Sequence, residues 1–576
     1  MKWIYTEADA AAVHDIQEEL GLLPSVASIL VKTGYGRIPD AEKFLTPRLS
    51  HVTDPFEIPN LERAAQRIIQ AIDKREKIAI CGDYDVDGVT STTLLVSVLR
   101  EFGLDPHYFI PRRKEEGYGM SPEIVRRALD AGTPDLFFAL DCGTNATAEV
   151  DSLSERGCDI VIIDHHRSKT PTPPNAILVN PNSVFTAAPA YSPLCTAGLI
   201  FKVIHGFLKL LRIRGDERAF KIILREYLDL VAMGTITDIS PLVGENRTMT
   251  WFGLRQMRNT KREGLRALIS ASNIADTADI LPVDVSHRIG PRINASGRLA
   301  DAALPVEMFL CDSPQKCAEY AAELNEMNRD RQEIERAVFD EALAQVEAAG
   351  THRNALLACG DWHPGVVGIV AGKLARQFNR PCIVLGIEGD SAKGSGRSVE
   401  GVNLIEVLKP FGDELLEAWG GHPMAVGITI DAAKVAEFRE IFDRSVGEYQ
   451  LKYNEEFSEI NLEIAAWLTL ADLTPELFDQ ISRLAPFGEG NPEPVFGLRN
   501  IEMPFGAIRF GDGNFRFQLA LPSLARIGIV AWRKADRIPA SGTRIDLALK
   551  LSWNNYNGRK YQQAELIDWR PAQTPA

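Results

Sequence analysis

Between residues 60 and 180, short apolar runs alternate with amphipathic stretches, the pattern of a parallel sheet covered by helices. Lys77 to Ile80, His107 to Ile110, Leu136 to Leu140, Asp159 to Ile163 and Ala176 to Val179 read as strands. Leu61 to Lys74, Thr90 to Phe102, Pro122 to Ala131 and Ala146 to Arg156 read as the intervening helices. Two strongly apolar helices are predicted next, over Thr196 to Leu211 and Phe220 to Met233, and Ser313 to Ala349 reads as one long charged helix. A second α/β pattern begins near residue 352, with strands Ala355 to Cys359 and Cys382 to Leu385 around a helix from Val367 to Phe378. In the tail, Asn514 to Leu519, Ile527 to Trp532 and Arg544 to Leu551 read as short strands. The expected fold class is α/β: two α/β lobes joined by a long helix, plus a C-terminal all-β domain of OB type. The expected boundaries are an N-terminal extension (1–55), a first α/β domain (56–240), a helical region with the connecting helix (241–350), a smaller α/β domain (351–455) and the OB-like domain (456–576).

The chain has 576 residues, enough for several cores, and its 45% hydrophobic and 24% charged content is that of an ordinary globular protein. Acids from Glu7 onward argue against a secretory leader, no apolar run spans a bilayer, and a cytoplasmic protein is expected. The eight cysteines are scattered without a C-x-x-C pair, so neither a thiolate zinc site nor a disulfide framework is indicated. A net charge of -15 argues against indiscriminate coating of nucleic acid, yet 12 Lys/Arg stand against 6 Asp/Glu between residues 499 and 576. Aromatics interleave with that basic tail, among them Phe515, Phe517, Trp532, Trp553 and Tyr561, as in OB-folds that hold single strands by stacking.

The most unusual stretch is Cys81-Gly82-Asp83-Tyr84-Asp85-Val86-Asp87-Gly88, which follows the first strand. Three carboxylates on alternate residues repel one another, and a divalent cation is the simplest thing that holds them together. An EF-hand is excluded, because Leu94 stands where the bidentate Glu would be needed. Asp141 follows the third strand and Asp164-His165-His166 the fourth; strand carboxyl ends share one sheet edge, so these groups converge. Carboxylates with imidazole suit Mn2+ or Mg2+. Asp238, after the second apolar helix, reads on its own as a cap or turn residue. His287 to Arg298 packs three arginines among Gly and Pro, a phosphate-suited loop. Lys393 to Ser398 and Gly420 to Gly427 are glycine-rich and read equally as phosphate approaches or tight turns.

These motifs, in this order, resemble the DHH phosphoesterase superfamily, and within it the RecJ-type single-strand-specific DNA exonucleases. The shared pieces include Gly82 to Thr90, Asp164-His165-His166, Gly234 to Asp238, Gly290 to Arg298, Trp362 to Gly368 and Gly420 to Gly427. The resemblance implies a metal-dependent 5′-to-3′ exonuclease that degrades single-stranded DNA to mononucleotides in repair and recombination. It implies two divalent cations, Mn2+ or Mg2+, on Asp83, Asp85, Asp87, Asp141, His165 and Asp238, and so promotes Asp238. Asp164 would orient the neighbouring imidazole, and His166 would contact the scissile phosphate. Arg112 or Arg113 would receive the 5′ end; Arg288, Arg292, Asn294 and Arg298 would hold backbone phosphates; Arg397, Ser398 and His422 would grip the strand in the second lobe. Implied partners are single-stranded DNA, a single-strand-binding protein and a helicase, with a monomeric enzyme and no membrane. Cys81 departs from the pattern, since some superfamily members have His there. The alternatives are a phosphodiesterase of short oligonucleotides or cyclic dinucleotides, and a non-catalytic DNA-binding scaffold.

Overall fold

The computed structural model describes the chain except residues 113–115, 118, 169–171, 276–278, 301, 454–460, 557–558 and 573–576, with the backbone alone at 555–556. It divides into two compact units: the first comprises Met1–Asn294, Asp301–Ala322 and Leu462–Ala576, and the second Ala295–Ala300 and Glu323–Asn461. Among the described residues no helix is long and apolar enough to cross a membrane.

In the first unit, five parallel strands lie in the order His107–Phe109, Ile78–Gly82, Leu136–Leu140, Asp159–Ile163, Ala176–Val179. The last three keep their predicted limits, because helices cover both faces and strands of this kind are apolar throughout. Ile78–Gly82 and Leu136–Leu140 are buried at every position. Gly82 pairs with Leu140, and Leu140 with Ile163. The three segments that follow these strands therefore leave the sheet at one level of one edge.

Three expectations about helices are corrected. The helix expected from Thr90 starts at Val86, because the Asp85 carboxylate caps it, accepting the N–H groups of Asp87 and Gly88 at 2.9 and 3.1 Å. Phe220 to Met233 is not one helix: it breaks into Glu217–Lys221, a single turn Leu224–Tyr227 and Leu228–Thr237. The Arg212 guanidinium takes the carbonyls of Ala219 and Ile222 at 3.0 and 3.1 Å, which satisfies backbone that a continuous helix would have paired. The arginine-rich loop is also helical, a π segment Val285–Ile289 running into the helix Gly290–Leu299. Pro291 stands in the first turn of that helix, where a missing N–H costs nothing, and Gly290 marks a close approach: a Cβ there would lie 2.6 Å from Thr237 Cγ2.

The long helix runs over Pro314–Ala349, close to its expected limits, and from Glu323 it belongs to the second unit. The second unit carries a five-stranded sheet in the order Ala418–His422, Ala425–Asp431, Ser391–Arg397, Cys382–Glu388, Leu356–Gly360. Only its last two neighbours are parallel. Both glycine-rich pieces lie in its antiparallel part, with Ser395 opposite Gly427 and Gly394 opposite Leu385, so ladder hydrogen bonds claim backbone that reads equally as phosphate approach or tight turn.

The C-terminal sheet has seven strands, in the order Ala466–Leu468, Val495–Glu502, Arg544–Tyr556, Arg559–Pro571, Arg526–Ala531, Asn514–Ala520, Ile508–Phe510. Phe515 and Phe517 face its core, while Trp532 and Tyr561 stay about half exposed, at 46% and 48%. The same core takes in Ile16, Val26, Leu30 and Phe44 from the N-terminal helices Ala10–Leu20, Pro24–Lys32 and Ile38–Leu45. The two ends of the chain thus bury one apolar surface together.

Arg247 ties that assembly to the helix Gly244–Arg258. It is 2% exposed, lies 3.7 Å over the Phe44 ring, and donates to Phe44 O (3.2 Å), Arg483 O (3.1 Å) and Leu484 O (2.9 Å). Burial lowers its pKa to about 10, which leaves it charged at pH 7. Replacement of Arg247 by Met strands these buried carbonyls and is expected to cost about 3 kcal/mol in denaturant unfolding. Arg247→Lys should recover only part of it, because the three N–H groups of an ammonium leave from one atom and do not span carbonyls spread around a planar guanidinium.

Candidate metal centre

Asp83, Asp87 and Asp141 are buried to 1% exposure or less, an arrangement that costs several kcal/mol per charge unless each finds compensation. Asp87 stands in the first turn of the helix that Asp85 caps, and its carboxylate receives the first N–H groups of the helix Thr196–Arg214: Thr196 N at 2.7 Å and Ala197 N at 2.9 Å. A Cβ at Gly234 would lie 2.6 Å from Asp87 Oδ1, so only glycine lets the helix Leu228–Thr237 pass there. Asp141 is held in the left-handed region at φ 62°, with its N–H on Ile163 O (3.0 Å), and the Thr196 hydroxyl donates to its Oδ1 (2.9 Å). Asp238 caps the carboxyl end of the helix Leu228–Thr237 and accepts from the Ser240 hydroxyl at 2.7 Å.

Asp164 is spent on organising the histidines. Its Oδ1 accepts from His165 N (2.8 Å) and His166 N (3.1 Å) and lies 2.8 Å from His166 Nδ1, while Oδ2 takes the Thr144 hydroxyl. The imidazole it holds is therefore that of His166. Burial alone would raise the Asp164 pKa, but the His166 hydrogen bond and the imidazole charges hold it well below the usual carboxylate range. Burial likewise works against a charged His166, yet its bond to Asp164 and the nearby carboxylates raise its pKa to about 9. His165 instead aims at the acids, with Nε2 3.4 Å from Asp141 Oδ1 and 3.8 Å from Asp238 Oδ1, buried and without a hydrogen-bond partner.

Among the described residues three groups of donors lie within 4.8 Å of one another: Asp83, Asp85 and Asp141; Asp87, His165 and Asp238; and Asp141, His165 and His166. Asp141 belongs to two of them. Burial and mutual repulsion raise the pKa of Asp87 to about 6, push Asp141 well above the carboxylate range, and raise Asp238. Such a set is strained as it stands and is relieved by positive charge. The orphaned His165 Nε2 and an oxygen-rich donor set fit divalent cations that favour oxygen with imidazole. Cys81 is in none of the groups; it lies in an apolar cluster with Met120 and Cys142. The departure at Cys81 is thus absorbed by the core.

The residues expected to hold nucleic acid fall into both units. In the first, Arg288 pairs with Asp284 (3.3 Å), and Arg292 donates to Arg288 O (2.6 Å) and Ala271 O (3.2 Å). Asn294 keeps a buried Oδ1 without a hydrogen-bond partner. The segment Val285–Ile289, which carries Arg288, packs against the helix that ends in Asp238. Arg112 is exposed, with its N–H on Glu116 Oε2, and Arg113 lies outside the described residues. In the second unit, Arg298 donates to Gly365 O (2.7 Å), Arg397 to Gly396 O (2.8 Å), and the Ser398 hydroxyl to Val402 O (2.6 Å), while His422 is exposed.

Sequence reasoning missed Thr144, Thr196, Asn180 and Asn182. The asparagines hold the chain at the histidines, Asn180 donating to His166 O (2.8 Å) and Asn182 to His165 O (2.7 Å). One signal was present: Thr196 opens an apolar helix directly after Cys195, at the position where helix N–H groups are unpaired.

The chain matches three family models: the DHH family N-terminal domain over residues 77–235, the DHHA1 domain over 353–448 and the RecJ OB domain over 464–568. It is 34% identical over 580 residues to the single-stranded-DNA-specific exonuclease RecJ of Bacillus subtilis (strain 168), an alignment that covers 99% of this chain and 70% of that protein. It is also 34% identical over 541 residues to the RecJ of Escherichia coli (strain K12), covering 88% and 89%. The crystal structure of RecJ from Thermus thermophilus in complex with Mn2+ superposes with a TM-score of 0.83 at 28% identity, covering 100% of this chain and 80% of the other. With this identity sustained along nearly its whole length, and with all three domain models met in order, the chain belongs to the RecJ family.

Proposed function

We propose that this protein is a metal-dependent exonuclease that degrades single-stranded DNA from its 5′ end to mononucleotides, in DNA repair and recombination. The observation that carries this reading is the meeting of Asp83, Asp85, Asp87, Asp141, His165 and Asp238 at one sheet edge, in a chain whose relatives are named as single-stranded-DNA-specific exonucleases. The structural relatives from Thermus thermophilus are RecJ complexes with Mn2+ and with Mg2+. Those six side chains would hold two such cations, which when bound polarise the phosphodiester and activate water for its hydrolysis.

The chain's own groups do the rest. His166, cationic at neutral pH and fixed through Nδ1 by Asp164, donates to a non-bridging phosphate oxygen and offsets the charge that develops there. Arg288, Arg292 and Asn294 hold phosphates beside the metal centre, and Arg112 receives the 5′ end, with Arg113 as its companion. Arg298, Arg397, Ser398 and His422 grip the strand from the second unit. In this division residues 56–240 carry the chemistry, 241–350 the arginine segment and connecting helix, 351–455 and 456–576 the hold on DNA, and 1–55 the packing of the C-terminal domain. The reading extends to a monomer in the cytoplasm, supplied by a helicase and a single-strand-binding protein, because a strand-specific nuclease needs its duplex opened first.

Asp85→Ala and Asp141→Ala are each expected to lower the rate on a labelled single strand by at least about a thousandfold, as EDTA does, while leaving DNA retention near wild type. A blunt duplex should resist all three proteins; residual activity near wild type in either variant would sink the metal-centred account.

The carboxylate shifts give a pH dependence. A folded-state pKa of about 6 for Asp87, against 3.8 when unfolded, means that the metal-free fold holds a proton through this window and is destabilised as pH rises across it. A cation must displace that proton. Mn2+ affinity, read by isothermal titration, should climb with pH through this window by about tenfold per pH unit for each proton released, and Asp141, pushed higher still, should extend the climb above it. The Mn2+-induced rise in melting temperature should grow over the same range.

A further inference from the structure

Ile239 directly follows Asp238, and nothing in the fold's own stability accounts for it. The helix Leu228–Thr237 ends in a Schellman-type turn: Ser240 N–H returns to Thr235 O (3.1 Å) and Ile239 N–H to Ile236 O (3.3 Å). That turn puts Ile239 in the left-handed region at φ 58°, a place normally filled by Gly or Asn, where a β-branched side chain is among the least favoured. Burial gives nothing back, since the side chain is 69% exposed. An isoleucine here is unfavourable to the backbone and unrewarded by packing, and observed strain of this kind points to function.

Its surroundings say which function. Asp238 Oδ1 lies 3.8 Å from His165 Nε2 in the metal centre, and the helix that Ile239 terminates packs against the segment carrying Arg288. Asp238 beside it in sequence, His165 in the metal centre, and Arg288 on the segment packed against its helix are groups suited to cations and phosphates. An exposed aliphatic group next to them adds a surface for the apolar face of a base. Every base presents such a face, so the contact is blind to sequence.

We propose that Ile239 is a substrate-contacting residue that packs against the base of the nucleotide whose phosphodiester lies at the metal centre. The proposal rests on the exonuclease reading above. It is tested by the single-turnover rate of the first cut, with Mn2+, on two oligonucleotides that differ only in an abasic tetrahydrofuran nucleotide at the attacked end. Wild type, Ile239→Asn and Ile239→Gly are compared; both replacements accept the left-handed backbone. On the normal strand the variants should be about tenfold slower. On the abasic-ended strand the wild type should fall to their level. Their melting temperatures should equal or exceed the wild type's, and the Mn2+ concentration for half-maximal rate should not move. The proposal is overturned if the variants lose the same factor on both strands, keep the wild-type rate on the normal strand, melt lower, or need more Mn2+. A wild type that cuts neither strand would instead overturn the exonuclease reading, and this inference with it.

Discussion

Buried like charge is the constraint on which the catalytic half of this protein is built. Asp83, Asp87 and Asp141 are taken out of water within reach of one another, and the energy of doing so has to be met by structure that is rigid before any cation arrives. The parallel register creates that demand, by bringing the ends of Ile78–Gly82, Leu136–Leu140 and Asp159–Ile163 to one level. The amino end of Thr196–Arg214 meets part of it, giving two N–H groups to Asp87 and a hydroxyl to Asp141. Asp164 stands apart from its neighbours: its charge is satisfied inside the protein by His166 and Thr144, and it is therefore ionised where the others are driven toward protonation. One cluster thus holds acids of two kinds, one whose charge the chain completes and others that it leaves repelling one another.

How much of this could be read from the sequence follows from the same physics. The parallel strands were legible to the residue in three cases because a sheet covered on both faces demands unbroken apolar runs such as Leu136 to Leu140. The convergence of Asp83, Asp85, Asp87, Asp141, Asp164 and His165 was legible because strand ends share an edge. Asp238 was not, since a helix-capping acid looks the same whether or not a histidine stands 3.8 Å away; only the family resemblance raised it. The segment from His287 to Arg298 reads as a loop because Gly290 and Pro291 signal a break by composition, while here one allows a close approach and the other begins a helix. The break after Ile222 was invisible for the opposite reason: every residue around it is compatible with a helix, and the decisive group, the Arg212 guanidinium, lies ten positions away.

The packing of the two chain ends changes what the C-terminal domain means. By composition it is a basic, aromatic-studded module attached behind two α/β domains, but Phe515, Phe517, Ile527 and Leu566 share their core with Ile16, Val26, Leu30 and Phe44. Loss of residues 456–576 would expose the apolar faces of the N-terminal helices, and would strip Arg247 of three of its carbonyl partners. A truncated protein therefore reports on a damaged first unit as much as on missing DNA contacts. Point substitutions of exposed side chains such as Trp532 separate the two effects, because they leave this core intact.

That distinction reaches the metal centre through the backbone. Two residues beyond Ser240, whose hydroxyl supports Asp238, the Leu242 N–H donates to Glu489 O at 2.7 Å, and a Cβ on Gly490 would lie 3.1 Å from Pro241 Cβ. Asn491, 7% exposed, fixes the same stretch by donating to Leu484 O and Pro486 O at 3.0 and 2.8 Å. The loop that carries one metal-facing carboxylate is thus braced from behind by the entry to the C-terminal sheet, and Arg247 locks Leu484 from the other side. A carboxylate held on one domain and a brace contributed by another make the geometry of Asp238 a property of the assembled first unit. The strain at Ile239 can persist for the same reason, since the turn that contains it is anchored at both ends.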